Sequence, residues 1–224
     1  MRLVLWDIDH TLIDTRGVGR ELSAAAFQQT TGTAMREQAR IDGITEAVIF
    51  RETAKLHHIT TGRADFERFA TALAQQHRTH TTALRTRGHV LPGASAALDA
   101  LAARTGVTQT VVSGNIRPVA EIKLAVYGLD RHITWDVGAY GDDADERADL
   151  VGLALRRSGH TSGQTVLIGD TPADIEGGHA HGVRVIAVAT GRSPVQALRE
   201  AGADTVLTDL TDTPNLVRLV DETP

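Results

Sequence analysis

Asp7 and Asp9 stand two residues apart at the carboxyl end of the chain's first hydrophobic run, in the segment WDIDHTLIDT at 6–15. A strand that stops in acidic side chains lifts carboxylates out of the apolar layer to a rim, where they can attack an electrophile, move protons or hold a cation. Arg2–Trp6 reads as a buried strand, LVLW flanked by charge, and in open α/β sheets ligands collect outside the carboxyl ends of such strands. Taken alone, the acidic pair is equally a solvated turn with an Asp capping a helix. Three further polar constellations follow. VVSGN at 111–115 closes the run 107–112 with Ser113, Gly114 and Asn115, and LIGDTPADIEGG at 167–178 closes the run 165–168 with Asp170 and Asp174. Between them, DDADERADLVGLALRRSG at 142–159 reads as an amphipathic helix whose opening turn carries Arg147. In a parallel sheet all four converge on one edge.

The elements that must position these groups can be read from the pattern. After Thr15 the periodicity is helical, over 18–30, 44–57 and 64–84, with Gly and Thr breaks between. A core resumes in LPGASAALDALAARTG at 91–106, where Pro92 and Gly93 open a helix that leads to the second strand. Later strands are predicted at 133–137, 165–169, 183–188 and 205–207. This alternation of strand and helix predicts an α/β fold with a parallel, Rossmann-like sheet. Asp143 and Glu146 read as a cap pair, which places Arg147 in the first turn of its helix, where a cation is locally unfavourable. Thr171, Pro172 and Asp174 spell an N-cap, an N1 proline and an acidic N3.

In motif order and spacing, nearly the whole chain resembles the haloacid dehalogenase-like hydrolase superfamily, and within it the C1-capped, phosphoglycolate phosphatase-like branch. The resemblance implies a Rossmann-like core at 1–15 and 88–224, interrupted by a helical C1-type cap at 16–87. It also implies roles. In the DxDxT segment Asp7 is the nucleophile, Asp9 the acid/base and Thr11 a phosphate-binding group. Ser113 and Gly114 bind phosphate, and Arg147 steadies it, with Lys123 as the rival for that task. Asp7, Asp9, Asp170 and Asp174 make up the Mg²⁺ site. A turn around Gly43, in 41–46, falls where relatives select substrate, and Asn115 either orients its loop or touches substrate. Two departures stand out: family members usually carry Lys where Arg147 stands, and many carry Gly at His10, whose larger ring either packs against the flap or narrows the entrance. Dehalogenases usually lack an acid at the second Asp position. Asp9 therefore favours phosphoryl chemistry.

Elementary chemistry agrees with those roles. A carboxylate attacks phosphorus only if the phosphate charge is neutralised, and Asp7 with Asp170 offers two hard oxygen ligands of the kind Mg²⁺ takes. Two bare carboxylates about 4 Å apart repel by roughly 1 to 4 kcal/mol at effective dielectrics of about 80 to 20, a penalty that a cation reverses. Asp9 is suited to protonate the leaving oxygen and then deprotonate water. The Ser113 hydroxyl with the Gly114 N–H suits phosphate oxygens. Asp174, besides serving its helix, can orient Asp170 or a metal-bound water.

Composition narrows the classes. The 224 residues, 42% apolar, suffice for one core plus an insertion. Absence of cysteine excludes a disulfide framework, a thiolate metal site and a cysteine nucleophile. No apolar run approaches about 18 residues and the N-terminus enters a strand at once, so neither a membrane span nor a signal peptide is expected and the cytoplasm is the default. A net charge of −5 offers no basic field for nucleic acid. His57 with His58 and His179 with His181 have spacings that do not aim two rings at one metal. A mobile cap would admit a small phosphorylated metabolite and exclude polymers, and Arg16, Arg20, Arg40 and Arg51 are candidates to face its cleft. The expected activity is a Mg²⁺-dependent phosphomonoester hydrolase. The rivals are a phosphotransferase or phosphomutase, and, from another class, a non-catalytic receiver-like module.

Overall fold

The computed structural model describes residues 1–222. Along the chain run β1 (Arg2–Trp6), β2 (Ile13–Asp14), α1 (Val18–Thr31), α2 (Glu46–Leu56), α3 (Arg63–Thr79), α4 (Thr81–Arg87), β3 (His89–Val90), α5 (Ala94–Ala102), β4 (Val107–Val111) and α6 (Arg117–Val126). Then follow α7 (Arg147–Ser158), β5 (Thr165–Gly169), α8 (Pro172–His179), β6 (Arg184–Val188), α9 (Val195–Glu200), β7 (Thr205–Leu207) and α10 (Thr213–Asp221). Five strands form one parallel sheet in the order β4-β1-β5-β6-β7.

β1 lies between β4 and β5 and is buried on both faces, which is why it reads as an unbroken apolar run. Val4 and Trp6 face a cluster with Leu98, Leu101, Ile168 and Leu216. Leu3 and Leu5 face the opposite cluster with Leu150, Val151, Leu167 and Val185. The one polar atom of Trp6 is satisfied inside, its Nε1 donating to Gln109 Oε1 at 3.0 Å. The register sets Trp6 beside both Val111 and Ile168, so these three strands end level with one another. The residues that follow each strand therefore emerge at one edge.

The chain leaves this layer and returns to it through an antiparallel ribbon in which Ile13 faces Val90 and Asp14 faces His89. Between those points lie α1 to α4, with a core of their own. All four phenylalanines of the chain, Phe27, Phe50, Phe66 and Phe69, are buried there together with Ile116 and Val119 from the start of α6. Phe50 and Phe69 stack at 4.5 Å between ring centroids, a geometry that adds to the area the rings bury.

Two expectations about elements are corrected. The helix predicted over 64–84 is two helices: α3 ends at Thr79, His80 leaves helical geometry at φ −109°, ψ 26°, and α4 begins at Thr81. The run THTT at 79–82 is rich in β-branched residues, and Thr79 Oγ1 bonds back to the Gln75 carbonyl at 3.0 Å, a local alternative that weakens continuation. The strand predicted at 133–137 is absent. The chain there makes 3₁₀ turns at Asp130–His132 and Trp135–Val137 and touches β4 at isolated points, through Thr134 N–H to the Gln109 carbonyl at 2.8 Å and the bridge Val112 to Ala139. Local bonds compete with the ladder, since the Trp135 carbonyl accepts both Gly138 N–H at 3.2 Å and Tyr140 O–H at 2.6 Å.

Candidate active site

Asp7 leaves β1 with its N–H bonded to the Ile168 carbonyl at 2.9 Å, still in register with β5. That pairing brings it beside Asp170, which follows the last residue of β5. Asp174 arrives from α8 through a reciprocal cap: its N–H donates to Thr171 Oγ1 at 3.3 Å, while its Oδ2 accepts Thr171 N–H at 3.1 Å and Thr171 O–H at 2.7 Å. The helix start read from the sequence thus forms as expected, and its second carboxylate oxygen is left to point elsewhere. Ligand-type oxygens of Asp7, Asp170 and Asp174 all lie within 4.8 Å of one another. Two glycines allow this crowding. A Cβ on Gly169 would fall 2.3 Å from Asp174 Cγ, and one on Gly191 would fall 1.7 Å from Asp170 Oδ2.

Neighbouring carboxylates raise the proton affinity of Asp7 and Asp170. Burial and the neighbouring Asp7 and Asp174 push the Asp170 carboxyl up to about 9, against the pull of Arg147 and a 3.3 Å bond from Thr11 Oγ1. Burial likewise pushes Asp7 up to about 6, even though Arg147 works against it. Thr11 also bonds Asp7 Oδ2, at 3.4 Å. The only hydrogen bond accepted by the buried Asp170 carboxylate among the described residues is that from Thr11. The donor set is hard oxygen with surplus negative charge, which fits a divalent cation such as Mg²⁺.

Arg147 is the first residue of α7 and is buried, its stem resting where Gly177 leaves room. Its Nη2 donates to Asp7 Oδ1 at 2.7 Å and its Nε to Asp174 Oδ1 at 2.9 Å. Those two carboxylates more than offset both its burial and its poor place at a helix start, and hold its pKa above the ordinary value. The predicted cap pair is corrected: Glu146 is the N-cap but makes no side-chain bond. Asp143 instead accepts the Tyr140 N–H at 3.0 Å and pairs with Arg157 at 2.7 Å, because a guanidinium one helix away is the stronger partner.

Asp9 belongs to a different group. Lys123, 6% exposed on α6, donates to both Asp9 oxygens at 2.8 and 2.7 Å and to Asn115 Oδ1 at 2.7 Å. Asn115 Nδ2 donates to Asp9 Oδ2 at 2.7 Å and to Ser113 Oγ at 2.8 Å. Burial raises the Asp9 carboxyl, but Lys123 and Asn115 outweigh it and the net shift is downward. The ammonium of Lys123 occupies the Asp9 carboxylate, which is no part of the three-carboxylate cluster. Arg147 and Lys123, posed as rivals in the sequence, serve separate carboxylates.

Ser113 is buried beside this group, its N–H bonded to the Ala139 carbonyl at 3.1 Å. The segment 41–46 leans over it. A Cβ on Gly114 would fall 2.3 Å from the Ile44 carbonyl oxygen, and Glu46 N–H donates to the Gly114 carbonyl at 2.8 Å. Gly43 has φ +70° and would place a Cβ 2.4 Å from that of Ala173, so both its backbone and its close approach require glycine. His10 also adopts a left-handed φ, +63°, where glycine is at ease. It lines the cavity that all these groups enclose, about 260 Å³ in volume.

Of the four flagged arginines, Arg20 lines that cavity. Arg16 pairs with Asp14, and Arg51 pairs with Asp145 at 2.9 Å beside a second cleft. Glu46, the end of the turn flagged at 41–46, lines the main cavity, and so do His77, Ser23 and Arg192, which were missed in the sequence. Nothing in the local pattern marks His77, which sits in the last turn of α3.

A parallel sheet whose level strand ends gather an acidic cluster, a buried arginine and a lysine–aspartate pair defines an α/β enzyme of the Asp-rich hydrolase type. The chain belongs to the haloacid dehalogenase-like hydrolase family, whose model matches residues 4–188. Among solved structures, a hydrolase from Pseudomonas syringae is 20% identical with a TM-score of 0.70, covering 99% of each chain. A predicted phosphoglycolate phosphatase from Haemophilus somnus 129pt is 15% identical with a TM-score of 0.67, over 97% of this chain and 98% of that one. A family hydrolase from Deinococcus radiodurans R1 with bound phosphate and sodium is 21% identical with a TM-score of 0.60, over 98% and 96%. At such identities the likeness establishes the fold. No curated protein sequence matches the chain.

Proposed function

We propose that the protein is a Mg²⁺-dependent phosphomonoester hydrolase that forms an aspartyl phosphate on Asp7. The observation that carries this reading is the position of Asp7 itself. One of its oxygens is held by Arg147 at 2.7 Å, and the residue shares a 4.8 Å cluster with Asp170 and Asp174, at the floor of a cavity. Asp7, Asp170 and Asp174 would hold the Mg²⁺, which when bound supplies the positive charge that lets a carboxylate approach a phosphate dianion.

The remaining steps belong to the chain's own residues. An Asp7 oxygen forms a bond to phosphorus as the ester oxygen departs, taking a proton from Asp9. Water then attacks the aspartyl phosphate, Asp9 takes a proton from it, and inorganic phosphate and the Asp7 carboxylate are regenerated. In the free protein Lys123 keeps Asp9 ionised. A phosphate dianion arriving beside it adds negative charge that opposes ionisation, so proton uptake by Asp9 accompanies substrate binding. Ser113 offers a hydroxyl to the phosphate, Thr11 braces Asp7 and Asp170, Arg147 screens charge on the transferring group, and Asn115 aligns the Asp9–Lys123 pair. The helices between 16 and 87 serve as a lid, with the turn at Gly43 pressed on α8 when closed. This lid suits a small organic phosphate.

Purified protein assayed with a chromogenic phosphate monoester tests the reading. Inorganic phosphate is expected with Mg²⁺ and is lost with EDTA or in Asp7→Asn. Turnover that survives either change refutes the mechanism, and phosphate delivered to a second hydroxyl instead of water marks a phosphotransferase.

A further inference from the structure

Two polar groups on the lid side of the cavity are left without partners. His77 is 2% exposed. Its Nδ1 lies 2.9 Å from the Leu73 carbonyl, and since a carbonyl only accepts, the proton is on Nδ1 and Nε2 carries a lone pair. That Nε2 has no hydrogen-bond partner, on a side chain lining the cavity. A buried acceptor left unpaired costs about 1–3 kcal/mol, which a bound donor would recover. Burial and the nearby Lys123 hold the imidazole down at about 4, so it stays neutral at physiological pH. Glu46, on α2, lines the same cavity. Its side chain makes no hydrogen bond among the described residues, and burial pushes its carboxyl up to about 7 despite Lys123.

Glu46 is tied by its N–H to the Gly114 carbonyl, next to Asn115, and His77 lies on α3, which packs on α6, the helix of Lys123, so both stand on the side of the cavity where Asp9 meets the leaving oxygen. Both can accept a hydrogen bond, His77 through its lone pair and Glu46 through a carboxylate oxygen. Two of the cavity's cations are already paired: Lys123 is saturated by Asp9 and Asn115, and Arg192 pairs with Asp42 at 3.3 Å. Arg20 stays exposed at the rim. Ile49, Leu73 and Val119 complete the wall.

We infer that His77 and Glu46 form a hydroxyl-reading pair: the leaving group is a polyol or sugar whose O–H groups donate to His77 Nε2 and to the Glu46 carboxylate, and esters with a second anionic group are disfavoured. The inference rests on the phosphomonoesterase reading above and names its substrate class. A site built to bond hydroxyls rejects analogues lacking them, because its polar groups are then left unpaired.

The test compares inorganic phosphate release from glycerol phosphate, propyl phosphate and phosphoglycolate by the Mg²⁺-loaded enzyme. Glycerol phosphate is expected to exceed propyl phosphate in kcat/KM by about tenfold or more, in line with one recovered buried hydrogen bond, and phosphoglycolate to fall below both. His77→Leu collapses the glycerol-to-propyl ratio toward one, His77→Gln retains part of it, and Glu46→Gln raises phosphoglycolate relative to propyl phosphate. Phosphoglycolate as the best wild-type substrate, or ratios unmoved by His77→Leu and Glu46→Gln, overturns the inference. Turnover of the chromogenic ester with no order among the three overturns this inference alone. No phosphate from any ester overturns it together with the phosphatase reading.

Discussion

The carboxylate cluster makes a prediction about stability that needs no substrate. Asp170 is 3% exposed, and its carboxyl is pushed from an ordinary value near 3.8 up to about 9 by burial and by Asp7 and Asp174. Between those values the folded protein holds a proton that the unfolded chain has released. Stability therefore falls as pH rises through the window, by about 1.4 kcal/mol per pH unit for one such group. Asp7 adds to the fall only up to about 6, and Glu46 up to about 7. His77 acts oppositely: with its imidazole lowered from 6.5 to about 4, it weakens the fold as pH drops below 6.5. From pH 6.5 to 8.5 the slope is thus dominated by Asp170, and the protein in EDTA is expected to lose about 3 kcal/mol. At roughly 2–4 °C per kcal/mol for a chain of this size, that is a fall in Tm of roughly 6 to 12 °C. Asp170→Asn removes the titrating charge, so at pH 8.5 the variant in EDTA should be more stable than the parent, by more than the loss between pH 6.5 and 8.5 because the penalty accumulates from about 3.8 upward, while losing activity. Mg²⁺ should flatten the parent's slope, because a cation favours the ionised cluster. Thermal unfolding followed by circular dichroism, with EDTA and with Mg²⁺, measures each of these. A flat profile in EDTA, or equal slopes in parent and Asp170→Asn, refutes the claim that this cluster is electrostatically overloaded.

Two other perturbations address the supporting residues. Lys123→Met strips Asp9 of its cation; breaking a buried pair costs about 3–5 kcal/mol, but the Asp9 side chain is 35% exposed, so solvent screening brings the expected loss at pH 7 to about 2 kcal/mol. Because the Asp9 carboxyl is lowered in the fold, that stabilisation is present above its ordinary value near 3.8 and is lost as pH falls through the folded value; denaturant unfolding should show the variant's deficit shrinking toward pH 3. Gly191→Ala sets a Cβ where Asp170 Oδ2 now lies, 1.7 Å away, and should at least halve the rise in Tm that saturating Mg²⁺ gives the parent. An undiminished rise would mean that Asp170 does not hold the ion.

Much of the fold was legible because the buried strands are apolar on both faces. β1, β5 and β7 were read at their observed bounds, and β4 and β6 to within a residue; for β1, β5 and β6 residues buried above and below the sheet leave a continuous signature. The segment 133–137 was misread because a short apolar stretch does not reveal whether its carbonyls bond a neighbouring strand or their own turn. The acidic residues were equally legible: a carboxylate directly after a core strand, as with Asp7 and Asp170, is unusual enough to be noticed from spacing alone. His77 was not, since it has an ordinary local role on its helix and becomes notable only where packing turns it into the cavity.

What the sequence determined by itself was the five strands of the parallel sheet, the helix start at Thr171 and the acids at the strand ends, because these follow from hydrophobic period, capping chemistry and chain order. Tertiary structure alone decided the partnerships. Arg147 and Lys123 were interchangeable cations in the sequence, yet one reaches Asp7 and Asp174 and the other Asp9 and Asn115. Those choices depend on where α6 and α7 pack against the sheet edge, and charge interactions over a few ångströms are fixed by that packing rather than by separation along the chain.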